Sequence, residues 1–429
     1  MSVPETAIEL IDLLAESNLI APHHLAKLRA QVPKPDEPGH DARTFAAALI
    51  QKRVITAFQA KRLLRGRADG FFVGKYRILD LLGQGGMGRV YLAEQTTMKR
   101  PVALKLIQLE SQFQESSAIL ARFTREARAV ARLRHPRITQ AYDFDQYDNF
   151  QYIAMELVEG LTLHDLVLKV GPVRYGQAAD FIAQAAAGLE HAQQNDLIHR
   201  DIKPGNLMVE TSGSLKLLDL GLVGFHAKRS SSSLTMAGRD VILGTADYVS
   251  PEQALDSHGA DIRSDIYSLG CVLYFLLTGA PPFAGKSAAE KLISHQTGTP
   301  KPIQKLAPDV PDELAKVLDR MMAKDPDDRF QTPQEVQEAV QPFAERVNPA
   351  YDPSLLRYTR ESIDQLIRYG AEAINSSHRL TASMQGVSLR PEYGGSETSQ
   401  SYASLSSGSV PISQPTTPNP AATIETVTH

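Results

Sequence analysis

The chain has 429 residues, with 45 Lys plus Arg against 49 Asp plus Glu, a formal net charge of −4, one cysteine and no tryptophan. That length allows two or three domains, each able to bury a core. A mildly acidic chain is not built as a general nucleic-acid binder, and one cysteine makes neither an internal disulfide nor a cysteine-based zinc site. No apolar run approaches the roughly 20 residues of a spanning helix, and Glu5, Glu9 and Asp12 stand where a signal peptide would carry basic residues. The expectation is a cytoplasmic protein with no membrane span and no nucleic-acid partner.

Residues 1–70 are rich in Ala and Leu at helical spacing and contain a weak internal repeat. Leu14, Leu19, Ile20 and Leu28 line up with Leu49, Val54, Ile55 and Leu63: an apolar helix end, a polar turn, an apolar pair and a second helix. Pro22 suits a first helical turn and Thr56 an N-cap, so the region is predicted as tandem helical hairpins joined by the loop from Pro33 to Gly39. It is expected to serve as a docking, dimerising or autoinhibitory module. Its basic residues Arg43, Lys52, Arg53, Lys61, Arg62, Arg65 and Arg67 either meet an acidic partner or form a solvated helix face.

From residue 76 the pattern changes. Tyr76 to Leu82, Val90 to Glu94 and Pro101 to Ile107 read as strands, followed by a helix near Arg122 to Leu133 and strands near Ile138 to Phe144 and Tyr152 to Leu157. Beyond Gly160 helical spacing dominates, at Tyr175 to Asn195, Asp265 to Leu277, Ala288 to Gln296 and Glu313 to Ala323. Strands first and helices afterwards predict an α+β arrangement in two lobes over residues 76–343. Residues 344–375 are predicted as a helical extension. Residues 376–429 are rich in Ser, Thr and Pro with few large apolar side chains, and are predicted to be disordered.

Gly83-Gln84-Gly85-Gly86-Met87-Gly88-Arg89-Val90 fits G-x-G-x-x-G-x-V. A dinucleotide site would need strand, glycine turn and then helix, whereas these glycines lie between two strand-like runs, where Cβ-free backbone can approach phosphate oxygens. Lys105, in Val102-Ala103-Leu104-Lys105, lies on a strand behind that loop and needs an acidic partner if buried; Glu126 on the next helix is well placed. The most specific string is His199-Arg200-Asp201-Ile202-Lys203-Pro204-Gly205-Asn206.

On these motifs residues 76–343 resemble a protein kinase catalytic domain of the Ser/Thr class, and Gly83 to Glu94 is similar to bacterial eukaryotic-like Ser/Thr kinases. The resemblance implies a bilobal kinase fold, a small β-rich lobe and a larger helical one, with ATP and Mg²⁺ as cofactors and protein Ser/Thr hydroxyls as acceptors. It implies that Asp201 accepts the hydroxyl proton, that Asn206 and Asp219 hold Mg²⁺, and that Lys105, set by Glu126, contacts the α- and β-phosphates. Lys203 is implied to reach the γ-phosphate, and Thr245 to bond Asp201 and Lys203. Leu82, Val90 and Ala103 should cover one face of the adenine and Leu207 or its neighbours the other, with Met155 guarding the back pocket and Glu156 to Val158 forming the hinge. Asp219-Leu220-Gly221 carries leucine where the family usually has phenylalanine.

The same resemblance makes Glu252 and Arg329 a buried structural pair, has Asp265 brace the catalytic loop, and has Arg200 receive a phosphate placed on Ser230 to Ser233 or on Thr235. Autophosphorylation there, in trans within a homodimer, is an expectation. The rival reading is a pseudokinase scaffold, against which stand Lys105, Asp201 and Asp219, all present.

Overall fold

Each helix of the amino-terminal region begins where the sequence supplies a capping side chain or an opening proline. Thr6 and Glu9 form a capping box for α1 (Ala7–Glu16), Pro22 opens α2 (Pro22–Arg29), Asp41 caps α3 (Ala42–Gln51), and Thr56 with Gln59 boxes α4 (Ala57–Leu63). This computed structural model describes residues 2–35, 39–85, 88–108, 128–220, 246–255, 260–285 and 287–368, all within the compact unit Met1–Glu392. Asn18 and Arg53 hold positive φ at matching turns, and Leu14, Leu28, Leu49 and Leu63 meet Phe45 and Phe71 in one apolar cluster.

A six-stranded antiparallel sheet follows, in the order β1-β2-β3-β4-β6-β5. Its strands are β1 (Phe72–Val73), β2 (Tyr76–Gly85), β3 (Gly88–Gln95), β4 (Arg100–Gln108), β5 (Ala141–Tyr147) and β6 (Phe150–Met155). Alternation along β4 divides the two faces. Val102 and Leu104 join Tyr76, Tyr91 and Tyr152 on the outer face, where Phe58 of α4 packs edge-on to Tyr91 at 5.9 Å. Ala103 and Ile107 join Ile153 and Met155 on the inner face, with Leu82 and Val90 against them. The amino-terminal module therefore covers the outside of the sheet, opposite the cleft.

The expected α+β, bilobal arrangement is present. The second lobe opens with a three-stranded sheet of β7 (Gly160–Thr162), β8 (Leu207–Glu210) and β9 (Leu215–Leu217). Its core is the pair of helices Tyr175–Gln193 and Ile262–Thr278, each buried along most of its length. Cys271 is fully buried in the second of these, as core packing requires of a small apolar thiol, and burial pushes its pKa upward. Among the described residues no helix is long and apolar enough to cross a membrane.

Three boundaries differ from the sequence reading. The strand predicted near Ile138 starts at Ala141, because Ile138 instead makes an isolated parallel bridge to Leu217 in the other lobe. Of the helix predicted from Arg122 to Leu133, residues 128–132 are helical and residues 122–127 lie outside the described part. Among its described residues, which end at 368, the extension after residue 344 is α-helical only at Arg360–Ile367. Before that, apart from a single 3-10 turn at Pro353–Leu355, it runs as irregular chain pinned to the second lobe: Arg346 pairs with Asp180 at 2.6 Å, Ala350 N–H donates to the Thr211 carbonyl at 2.8 Å, and the Tyr351 hydroxyl donates to the Val209 carbonyl at 3.0 Å. Pro349 and Pro353, lacking an N–H, suit such chain better than helix interior. The segments from Ser230 to Thr235 and 376–429 lie outside the described residues.

Candidate active site

The cleft between the lobes gathers residues from strands of the first lobe and from loops of the second. Asp201 follows Arg200, which holds a φ of 65°, and Asp219 itself sits at 55°. Left-handed backbone at bulky or charged residues is strained, and it persists where surroundings over-determine it. Here the surroundings are explicit. Buried Asp265 accepts from the N–H of His199 and of Arg200, both at 2.8 Å, so one carboxylate holds two consecutive amides of the turn. Burial pushes the Asp265 pKa upward, while His199 and the two amides favour the ionised form. His199 in turn accepts from Asp201 N–H at Nδ1 (3.3 Å) and donates from Nε2 to the Leu218 carbonyl (2.8 Å), since a carbonyl can only accept. This single imidazole links the two aspartates' loops.

Asp201 is 5% exposed, and its Oδ2 accepts from Lys203 Nζ at 2.7 Å and from Asn206 Nδ2 at 2.8 Å. Asn206 Nδ2 also donates to the Asp201 carbonyl at 2.8 Å. Both donations settle the amide orientation and leave Asn206 Oδ1 as its acceptor end. An amide oxygen and the Asp219 carboxylate are the hard oxygen donors a Mg²⁺ ion takes, so the donor set fits that metal. Asp219 pairs with Lys105 at 2.9 Å, and Lys105 is 3% exposed. Glu126, the partner expected for Lys105, lies outside the described residues, as do Gly86, Met87 and Thr245.

The glycines of the β2–β3 hairpin divide by physical role. A Cβ at Gly88, whose φ is 129°, would stand 2.0 Å from the Leu106 carbonyl oxygen, so glycine is required there by the protein itself. A Cβ at Gly83 or Gly85 would meet no atom of the described residues within 4 Å. Bare backbone at those two positions faces open space, as approach by a ligand's phosphates would need. Gln84 accepts from Arg89 Nε at 3.3 Å across the hairpin.

Leu82, Val90, Ala103 and Met155 share the apolar lining of the inner face, and Ala103 lies directly across from Met155 in the β4–β6 pairing. Behind Met155 a cavity of about 510 Å³ is bounded by Thr139, Phe144, Leu217, Asp219 and Leu220. Glu156 follows Met155 and receives Lys216 Nζ at 2.7 Å, and Val158 lies two residues on. Leu207 requires correction. It is fully buried in the core of the second lobe, because alternation along β8 turns it away from the opposite face. Met208 occupies that opposite face, across from Lys216, whose ammonium reaches Glu156. The neighbour, not Leu207, is the cleft candidate.

Below the site, residues 246–255 are anchored to the second lobe. Asp247 pairs with Lys291 at 2.7 Å, and Glu252 pairs with fully buried Arg329. His295, also fully buried, contacts the Tyr267 hydroxyl at 2.9 Å. Burial, reinforced by Lys324, lowers its pKa from 6.5 to about 4. The unfolded chain thus binds this proton more readily than the folded one. Stability is full above pH 6.5 and falls as the pH drops toward 4, by about 3 kcal/mol in all. Urea midpoints measured at pH 7.5 and 5 should differ in the parent and converge in His295→Asn; equal differences in both would refute it.

A protein kinase domain model matches residues 76–341. The chain is 36% identical over 264 residues to serine/threonine-protein kinase PrkC of Bacillus subtilis, covering 62% of this chain and 40% of that protein. It is 39% identical over 266 residues to PknB of Mycolicibacterium smegmatis, covering 61% and 42%. The chain thus spans about two fifths of the length of these relatives. The kinase domain of Mycobacterium tuberculosis PknI, as a crystal structure, is 27% identical with a TM-score of 0.50, over 64% of this chain and 97% of that one. With the glycine hairpin, the His199–Asn206 loop and the matched span all in one domain, the chain belongs to the protein kinase family.

Proposed function

We propose that the protein is a Ser/Thr protein kinase that moves the γ-phosphate of ATP onto Ser or Thr hydroxyls of proteins. The observation that carries this reading is the bonding of Asp201, whose Oδ2 is held by Lys203 and Asn206. That leaves Oδ1 to accept the acceptor hydroxyl and, as it attacks phosphorus, its proton. Lys203, 25% exposed beside Asp201, is placed to offset charge on the transferring phosphoryl group, a role that suits Ser/Thr specificity. Lys105 serves the α- and β-phosphates. The open backbone at Gly83 and Gly85 serves the phosphates from above, with Leu82, Val90, Ala103, Met155 and Met208 around the base. Asn206 and Asp219 would hold Mg²⁺, which supplies charge neutralisation of the triphosphate. Most of the rate then comes from positioning and electrostatics.

Arg200 supports a regulatory reading of the same site. Its Nε is buried without a hydrogen-bond partner among the described residues, a cost that an incoming anion would relieve. A phosphate on Ser230 to Ser233 or Thr235, added in trans by a second copy, is that anion. A cytoplasmic location completes the proposal, consistent with a lone buried cysteine.

The test incubates parent and Lys105→Met with γ-labelled ATP, magnesium and a protein acceptor, then maps phosphosites. Label should enter the acceptor and the segment from Ser230 to Thr235 only with the parent. Equal labelling in both, or none in the parent, would end the kinase reading.

A further inference from the structure

Strand β2 leads directly into the glycine-rich hairpin, and its pairing with β3 slips twice, between Ile78 and Asp80 and between Leu81 and Gly83. A bulge leaves backbone groups outside the ladder and gives the strand freedom to shift. In this chain those groups are taken by elements from both ends of the sequence. From the amino-terminal module, Gln59 Nε2 donates to the Ile78 carbonyl at 2.8 Å and Thr56 Oγ1 to the Leu79 carbonyl at 2.7 Å, both bonds buried. From the carboxy-terminal extension, Arg357 Nη1 donates to the Leu81 carbonyl at 3.0 Å, and its Nη2 reaches Asp80 Oδ2 at 3.1 Å. The Tyr358 hydroxyl donates to the same oxygen. Asp80 Oδ1 accepts from Leu81 N–H at 2.6 Å, so the carboxylate is tied to the strand and to the extension at once. Every residue from Ile78 to Leu81 is thereby bonded from outside the sheet.

Beyond Tyr358 the extension continues over the cleft's hinge edge. Arg360 N–H donates to Glu159 Oε2 at 2.7 Å, just past the hinge. Ile363, 2% exposed, packs with Leu79 and Leu92, and the same cluster includes Leu82 and hinge residue Leu157. Leu82 is therefore shared: one side faces the inner apolar lining and the other faces the extension. The chain that makes these contacts is rooted in the second lobe through Arg346, Ala350 and Tyr351. A single strap thus joins the lobe that carries Asp201 to the strand that carries Gly83.

We infer that Arg357 and Tyr358 are positioning residues for nucleotide, which hold the bulged root of the glycine-rich hairpin in its binding register through Asp80. This rests on the kinase reading for the identity of the ligand. Neither residue touches the reacting atoms. They act through Leu82 and the backbone of Gly83, so their loss weakens nucleotide affinity and leaves the Asp201 chemistry of the second lobe in place. Removing both contacts should raise the nucleotide dissociation constant about 3- to 30-fold, the span that positional coupling of this kind covers.

The experiment uses the full chain as parent, Arg357→Gln/Tyr358→Phe and Arg357→Lys. Binding of a fluorescent ATP analogue gives the dissociation constant without turnover, and steady-state assays give kcat and the KM values for ATP and a peptide acceptor. The double variant should show a raised dissociation constant and raised KM for ATP, with kcat at saturating ATP within about twofold of the parent and the peptide KM unmoved. Arg357→Lys keeps the charge toward Asp80 and should recover most of the affinity. Unchanged nucleotide affinity in the double variant overturns the inference. So does a loss that lowers kcat and raises both KM values together with a lower melting temperature, since that is general destabilisation. If the parent binds the analogue but transfers no phosphate, the kinase reading fails while the binding arm still decides the role of the strap.

Discussion

Asp201→Asn should lower kcat by about 10²–10⁴-fold while leaving the KM for ATP within a few-fold of the parent. The argument starts from what the substitution keeps. Asparagine has the same shape, and its carbonyl oxygen can still receive Lys203 and Asn206 in place of the carboxylate Oδ2. The backbone of the loop is set independently by Asp265 and His199. The loss is therefore confined to the other oxygen, which becomes an NH₂ group that donates where the acceptor hydroxyl needs an acceptor. An amide cannot take the hydroxyl proton, and it carries no charge to align the attacking oxygen. Steady-state kinetics with a Ser-containing peptide and saturating ATP provide the measurement. A kcat within about tenfold of the parent would remove Asp201 as the proton acceptor and move that role elsewhere in the cleft.

What makes Asp201 readable from sequence is contiguity. His199 to Asn206 lie in one run because a tight loop must present an acid, a lysine and an amide to one point, and the structure closes that loop on itself through Asp201. The alternation of Val102 and Leu104 with Ala103 and Lys105 is equally legible, since one sheet face meets the module and the other the cleft. Short elements are not. Strands β7 and β9 have three residues each, too few for a period to show, and without them the inward turn of Leu207 and the cleft-side placement of Met208 cannot be read. The strap is invisible for a different reason. Tyr358 and Asp80 stand 278 residues apart, and neither Arg357-Tyr358 nor Asp80 lies in a motif. Only the fold brings them together. The difference is physical: catalytic groups must converge over a few ångströms and often share a loop, whereas the contacts that position them need only share a surface.

The largest stability effect should come from the pair that anchors residues 246–255. Arg329 is fully buried, and all five of its N–H groups are used: Nη1 and Nη2 donate to Glu252 at 2.7 and 2.9 Å, and Nε, Nη1 and Nη2 donate to the carbonyls of Ala323, Arg263 and Lys324. Ser264 Oγ donates to Glu252 Oε1 at 2.6 Å, and the guanidinium lies 4.9 Å from the Tyr267 ring centre. Burial opposes ionisation of Glu252, but the Arg329 and Ser264 bonds outweigh it and hold its pKa at about 2 rather than 4.5. Because the folded value is the lower one, the contribution is full above pH 4.5 and is lost as the pH falls toward 2. Glu252→Gln leaves a buried cation facing an amide and should cost about 3–5 kcal/mol at pH 7, read as a lower urea midpoint. The acid-sensitive loss between pH 4.5 and 2 should shrink in the variant, in a window that lies mostly below that of His295. Replacing both partners with apolar residues, as Glu252→Leu/Arg329→Met, should cost less than the two single changes added together, because no unpaired charge remains. Additive losses would mean that the two side chains contribute through packing and not through each other. Arg329, just after the turn Pro326–Asp328, ties Glu252 in the segment 246–255 to the Arg263 carbonyl at the start of the helix Ile262–Thr278. On the proposed kinase reading this segment flanks the protein acceptor, so weakening the pair should release that side before the nucleotide side. In Glu252→Gln the KM for a protein acceptor should therefore rise more than the KM for ATP, the reverse of the split expected when the strap at Asp80 is cut.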